Sequence, residues 1–253
     1  MGQFWSNEMS SSVDDTSNKK SVENWPWAWA IIDTEQLDWK SAKSSEEIME
    51  MSRSHQQLPV QVSDYLFLSD ARKAHDLERL DELKITHVLN VAGRPAKGPA
   101  SKYTAKGIQV LNIDADDEEG YPMLAKHLKE ARTFIGQARS SGGRCVVHCV
   151  AGMNRSGVIV AAEKMLSERV PVLDVVAHCR SARGNTFLCN ESFTAELVAL
   201  ARLNGLLGPA PGAPGSRVAA QPVPMSAFAR PESTAVGENS TRKFRAKEVR
   251  GLF

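Results

Sequence analysis

The stretch "CVVHCVAGMNRSG", Cys145 to Gly157, decides how this chain folds. Its opening run "RCVVH", Arg144 to His148, is short, apolar and rich in β-formers, which predicts a buried strand. The run "RSGVIVAAEKMLSE" from Arg155 reads as a helix. Between them lies a tight turn that carries Gly152. A strand-to-helix turn aims backbone N–H groups inward, and the helix that follows adds the positive end of its dipole. Together they form a cradle for an anion, most naturally a phosphate. The same field stabilises a thiolate on Cys149, at the start of the turn. A thiolate facing a bound phosphoryl group is a nucleophile for covalent catalysis. Arg155 can grip two phosphate oxygens with its planar guanidinium. The Ser156 hydroxyl can donate to the sulfur and stabilise it as a leaving group.

Working outward, apolar strand-like runs alternate with helical ones. "DYLFLS", "THVLNVA" and "GIQVLNI" precede "RCVVH" as strands. Helices are predicted over "DARKAHDLERLDELK", "YPMLAKHLKEARTFIGQARS", "RSGVIVAAEKMLSE", "PVLDVVAHCRSAR" and "NESFTAELVALARLNG". In the second of these, Leu124, His127, Leu128, Ala131 and Phe134 share one face. Such alternation predicts an α/β fold, a central and mostly parallel sheet with helices on both faces, over residues 59–207. Residues 1–58 read as an N-terminal extension, partly disordered, with a Trp-rich segment at 24–40. There Trp25, Trp27, Trp29 and Trp39 are expected to pack against the domain. Residues 208–253 read as a disordered tail, rich in Pro, Ala and Gly, with a basic end.

The whole chain of 253 residues carries a formal charge of +1, which argues against a global affinity for nucleic acid. Its four cysteines, Cys145, Cys149, Cys179 and Cys189, form no C-x-x-C pair and read as free thiols in a reducing compartment, the cytoplasm. No apolar run is long enough to span a bilayer. "MGQFWS" fits the pattern for myristoylation of Gly2. One acyl chain gives only weak, partial membrane association.

His148, Cys149, Gly152, Arg155 and Ser156 spell H-C-x-x-G-x-x-R-[ST], the signature of cysteine-dependent phosphatases. "KITHVLNVA" and "YLFLSDARKAHDLERL" resemble the opening of the dual-specificity protein phosphatase catalytic domain, within the protein tyrosine phosphatase superfamily. "NESF" resembles that family's Asn-x-x-Phe, placing Asn190 and Phe193. The resemblance implies hydrolysis of phospho-Tyr and phospho-Ser/Thr esters through a cysteinyl-phosphate, with no metal and no cofactor. It implies a phosphate-binding loop of His148, Val150, Ala151, Gly152, Met153, Asn154 and Arg155. It also implies a general acid on the loop "NIDADDEEGYPM", which offers Asp114, Asp116, Asp117, Glu118 and Glu119. Matching "LNIDAD" to the family's strand-then-Asp pattern selects Asp116, with Asp117 and Asp114 in reserve. Partners implied are phosphorylated proteins, kinases among them.

The chain departs from the family's pattern in three ways. Asn154 stands where many members have Ser, and Cys189 stands where a Pro often precedes the Asn. The ending "NRSG" is closer to the "NRTG" of RNA 5′-triphosphatases in the same superfamily. A phosphatase for RNA ends or phosphoinositides is therefore one alternative, and a phosphoprotein-binding module with little turnover is another. Against RNA, the core shows no basic groove with stacking aromatics.

Overall fold

A computed structural model describes residues 25–32 and 57–213. Gly2, Trp39, the rest of the N-terminal extension and the tail from residue 214 lie outside the described residues. Five strands form one sheet: β1 (Val60–Ser63), β2 (Leu66–Ser69), β3 (His87–Asn90), β4 (Gln109–Asn112) and β5 (Cys145–His148). The spatial order is β1-β2-β5-β3-β4. β1 and β2 pair antiparallel. All other neighbours are parallel.

The three central strands are buried along their whole length, and their side chains alternate between two cores. Leu66, Leu68, Leu89, Cys145 and Val147 face the larger core. It is covered by α5 (Met123–Ser140), α6 (Arg155–Glu168), α7 (Val172–Arg183) and α8 (Glu191–Leu203). Phe67, Val88 and Val146 face the smaller one, closed by Leu80 of α3 (Leu77–Glu82) and Tyr103 of α4 (Ala100–Ala105). Each aliphatic or aromatic side chain so buried contributes roughly 1.5–3 kcal/mol. The α/β architecture is the one the alternating pattern predicts.

Three local differences have physical causes. The single helix expected over 70–84 is two, α2 (Ala71–Ala74) and α3. Asp76 accepts the Arg79 N–H at 3.1 Å and starts the second helix. The segment between β3 and β4 holds α4 and a 3₁₀ turn, Arg94–Ala96, where Gly93, Pro95, Gly98 and Pro99 mask any helical period. The Trp-rich segment, expected to pack on the domain, adds a helix that the sequence reading did not predict. Trp25–Ile32 forms α1, which buries Ala30 and Ile31 and packs Trp27 against the larger core. Arg180 of α7 donates to the Ile31 carbonyl at 2.5 Å.

α6 is also joined by polar groups to α5 and to the turn between β1 and β2. Buried Glu163 accepts from Arg132 at 2.8 Å and from the Tyr65 hydroxyl at 3.0 Å, so its charge is paired. The strand order leaves β5 in the middle of the sheet. The turn after its C-terminal end is where a parallel α/β sheet presents its ligand crevice.

Candidate active site

The turn after β5 wraps Cys149. This side chain is 1 % exposed. The Gly152 N–H donates to its Sγ at 3.3 Å, and the buried Ser156 hydroxyl donates at 3.2 Å. Donors aimed at a sulfur stabilise negative charge on it. Gly152 has φ +65°, and a Cβ there would lie 2.6 Å from the Ser69 carbonyl oxygen. Only glycine fits both the conformation and the space. Among the described residues, no protein acceptor takes the amides of Val150, Ala151, Met153 or Asn154. Those N–H groups are available to an anion.

Arg183 locks the loop from behind. Wholly buried on α7, it donates from Nε to the Gly152 carbonyl at 2.8 Å and from Nη2 to the Ala151 carbonyl at 3.1 Å. Holding these carbonyls outward turns the peptide N–H groups inward. Burial lowers its guanidinium below its ordinary range, with Asp70 and Cys149 opposing that shift. Sequence reading missed Arg183, because an arginine on an amphipathic helix has no signature of its own. On the opposite side, the Ala71 N–H donates to the Val150 carbonyl at 3.1 Å and ties the loop to α2.

Arg155 begins α6 and reaches across the cradle. Its Nη1 donates to the Ala115 carbonyl at 3.1 Å. Its Nε stands 3.5 Å from an Asp117 carboxylate oxygen, an ion pair without hydrogen-bond geometry. That buried donor is free to take a phosphate oxygen.

The phosphate-loop residues expected from sequence do not all act through their side chains. His148 lies beneath the loop, with its ring edge-on to His75 at 5.6 Å and its Nδ1–H donating to the Cys149 carbonyl at 3.2 Å. It supports the turn and does not face the cradle. The Asn154 side chain points away too, its Oδ1 accepting the amides of Cys189 at 2.7 Å and Asn190 at 3.2 Å. Met153 is buried, and its carbonyl accepts from Leu188 at 3.3 Å. Val150 is 48 % exposed and stands on the rim.

The acid loop is ordered differently from the sequence expectation. Ile113 and Ala115 are buried, so in extended chain Asp117 faces the same side and Asp114 and Asp116 face the other. Asp117 meets Arg155 and lies 3.5 Å from the Asn190 side-chain amide. Asp116 is exposed and turned toward Tyr121, whose phenol is pushed up by burial and then by that carboxylate. Asp114 packs on Gly93, where a Cβ would lie 1.8 Å from its Oδ1. The residue at the site is therefore Asp117 and not Asp116, one position later than the motif match. Alternation counted from Ile113 is the signal that selects it.

Two buried titratable groups near the site pull stability in opposite directions with pH. Glu196 of α8 accepts the Leu124 N–H at 2.9 Å at the start of α5, and burial pushes its carboxyl up from 4.5 to about 7. Its folded form holds a proton that the unfolded chain has lost, so stability falls as pH rises from about 4.5 to about 7. Burial pushes His148 down from 6.5 to about 4, so its contribution rises with pH across that interval. Each effect is on the order of 3 kcal/mol. Glu196→Gln removes only the falling component. Its urea midpoint is expected to climb with pH between about 4.5 and 6.5 more steeply than that of the parent. Equal slopes in the two proteins would refute this assignment.

Comparison with known proteins agrees with this geometry. Residues 66–202 match the family model "Dual specificity phosphatase, catalytic domain". Dual specificity protein phosphatase 26 of Bos taurus is 35% identical over 138 residues, covering 54% of this chain and 64% of that protein. Dual specificity protein phosphatase 19 of Mus musculus is 32% identical over 122 residues, covering 48% and 53%. The chain thus spans less than two thirds of the length of these curated relatives. The crystal structure of human DUSP28 is similar with a TM-score of 0.52 and 27% identity, covering 58% of this chain and 94% of that one.

Proposed function

Since the chain belongs to the dual specificity phosphatase catalytic-domain family, we propose that it hydrolyses phospho-Tyr and phospho-Ser/Thr esters of protein substrates, kinases among them. One observation carries the reading. The Cys149 sulfur sits between the Gly152 N–H and the Ser156 hydroxyl, buried in a cradle closed by Arg155 and Asp117.

The thiolate attacks phosphorus, an S–P bond forms and the P–O bond to the substrate breaks. Asp117 donates its proton to the departing oxygen. Arg155 and the loop amides hold the phosphoryl oxygens as charge develops on them. Water then attacks the cysteinyl-phosphate and gives a proton to Asp117. The S–P bond breaks, the sulfur leaves as a thiolate that Ser156 stabilises, and inorganic phosphate departs.

The testing experiment presents the purified chain with phosphotyrosyl and phosphothreonyl peptides, phosphoinositides and 5′-triphosphorylated RNA. Turnover of the peptides is expected to exceed that of the others. A clear preference for lipid or RNA would replace the substrate class and leave the chemistry standing. Binding of phosphopeptides with no release of phosphate would favour a binding module. The proposal includes a cytoplasmic location with partial membrane attachment through a myristoyl group on Gly2, supported by the Met1–Ser6 pattern. A free Gly2 amine in the cellular protein, by mass spectrometry, would remove that part.

A further inference from the structure

The acid loop ought to be hard to hold in place. Asp114 and every residue from Asp116 to Gly120 are exposed, and five of them are carboxylates. Like charges at this density repel, and an exposed loop has little apolar burial to fix it. Yet Asp117 has to stay within reach of Arg155.

Glu119 supplies the missing anchor. Its Oε1 accepts the Glu191 N–H at 3.0 Å, and its Oε2 accepts the Ser192 N–H at 2.9 Å. Both oxygens therefore close on the first two amides of α8. The next amide, Phe193 N–H, goes to the Asn190 side chain at 3.1 Å. A carboxylate at this end of a helix is favoured by the helix dipole and by the otherwise orphaned donors. The other end of the loop is tied to the same helix, because Glu196 accepts from Leu124 at the start of α5. The start of α8 is in turn fixed to the phosphate loop through Asn154, which accepts from Cys189 and Asn190. A continuous set of hydrogen bonds thus runs from the acid loop, through α8, to the residue beside Arg155.

We infer that Glu119 is the positioning residue for the general acid, a two-oxygen clamp that fastens the acid loop to the start of α8 and so holds Asp117 against Arg155. This inference rests on the reading of Asp117 as the acid. The clamp touches neither the phosphate nor the sulfur. It acts only on the step that needs a proton, the departure of a poor leaving group.

The test compares the full chain with its Glu119→Ala and Glu119→Gln variants on phenyl phosphate and 4-nitrophenyl phosphate. Phenolate needs protonation as it leaves far more than nitrophenolate does. Glu119→Ala is expected to lower kcat on phenyl phosphate by roughly 10-fold, since a small misplacement forfeits part of the acid's contribution. On 4-nitrophenyl phosphate kcat is expected to change less than about 2-fold, and KM is expected to hold for both substrates. Glu119→Gln keeps one acceptor oxygen and is expected to fall between. Hydrogen exchange at the Glu191 and Ser192 amides is expected to quicken in Glu119→Ala and less so in Glu119→Gln. Parental kcat values with parental exchange would overturn the clamp, and so would an equal loss on both substrates. An Asp117→Asn variant measured alongside separates the two readings. If it loses phenyl phosphate turnover while Glu119→Ala does not, only the clamp falls. If it loses none, the Asp117 reading falls and the clamp with it.

Discussion

Replacing Cys149 by serine is expected to abolish hydrolysis while leaving the fold intact. The Sγ atom is buried and lies within 3.3 Å of the Gly152 amide and 3.2 Å of the Ser156 hydroxyl. A serine oxygen at that point is slightly smaller than sulfur and keeps both donors, so the loop has no reason to rearrange. What changes is ionisation. A thiol can part with its proton in such a field, whereas an aliphatic hydroxyl holds on to its own. The nucleophile is thereby removed without emptying the cradle. Turnover of an aryl phosphate is expected to drop by roughly 10⁴-fold or more. Thermal midpoint is expected to stay within about 4 °C of the parent. Because Arg155 and the loop amides survive, the variant is also expected to retain phosphopeptides, which makes it a trap for the physiological substrate. Substantial activity in purified Cys149→Ser would rule out the cysteinyl-phosphate route. Loss of both activity and phosphopeptide binding, with a collapsed thermal midpoint, would mean that the sulfur holds the loop together.

The phosphate loop was legible in the sequence because its chemistry is local. A buried strand is followed, within the next seven residues, by a cysteine, a glycine at one turn position and an arginine, and each has one physical reason to be there. The strand and helix alternation was legible for the same reason, since burial on both sheet faces puts consecutive apolar residues at the centres of β2, β3 and β5. Elements held by long-range contacts were less visible. Nothing in "WPWAWAII" says that α1 docks on α7, where Arg180 donates to the Ile31 carbonyl. Nor does the arginine of "RSAR" announce that Arg183 will grip the Gly152 and Ala151 carbonyls from another helix. His148 shows the reverse error. Adjacent to the nucleophile in sequence, it points the other way in space, as successive side chains in extended chain do. The acid loop was half legible. Its composition named the kind of residue, but one register step decided which carboxylate faces Arg155.

That step makes Asp117→Asn the sharpest test of the site. Asparagine keeps the size of the aspartate and an acceptor oxygen for Asn190, and loses the transferable proton together with the charge that pairs with Arg155. Loss should depend on the leaving group. A seryl, threonyl or tyrosyl oxygen has to be protonated as its bond to phosphorus breaks, and general acid catalysis there is typically worth roughly 10²–10⁴-fold. The drop on phosphopeptides is expected to approach that range, whereas 4-nitrophenyl phosphate, whose leaving group is stable as an anion, should fall far less. Asp116→Asn and Asp114→Asn serve as controls. Asp116 faces Tyr121 and Asp114 packs on Gly93, so neither reaches the cradle and both changes are expected to be mild. A large, leaving-group-dependent loss in Asp116→Asn with none in Asp117→Asn would restore the motif-based choice and show that the loop shifts by one residue when substrate binds. Loss in none of the three would mean that departure of the leaving group needs no proton from this loop, which is the outcome most at home with a triphosphate substrate, whose leaving group departs readily as an anion.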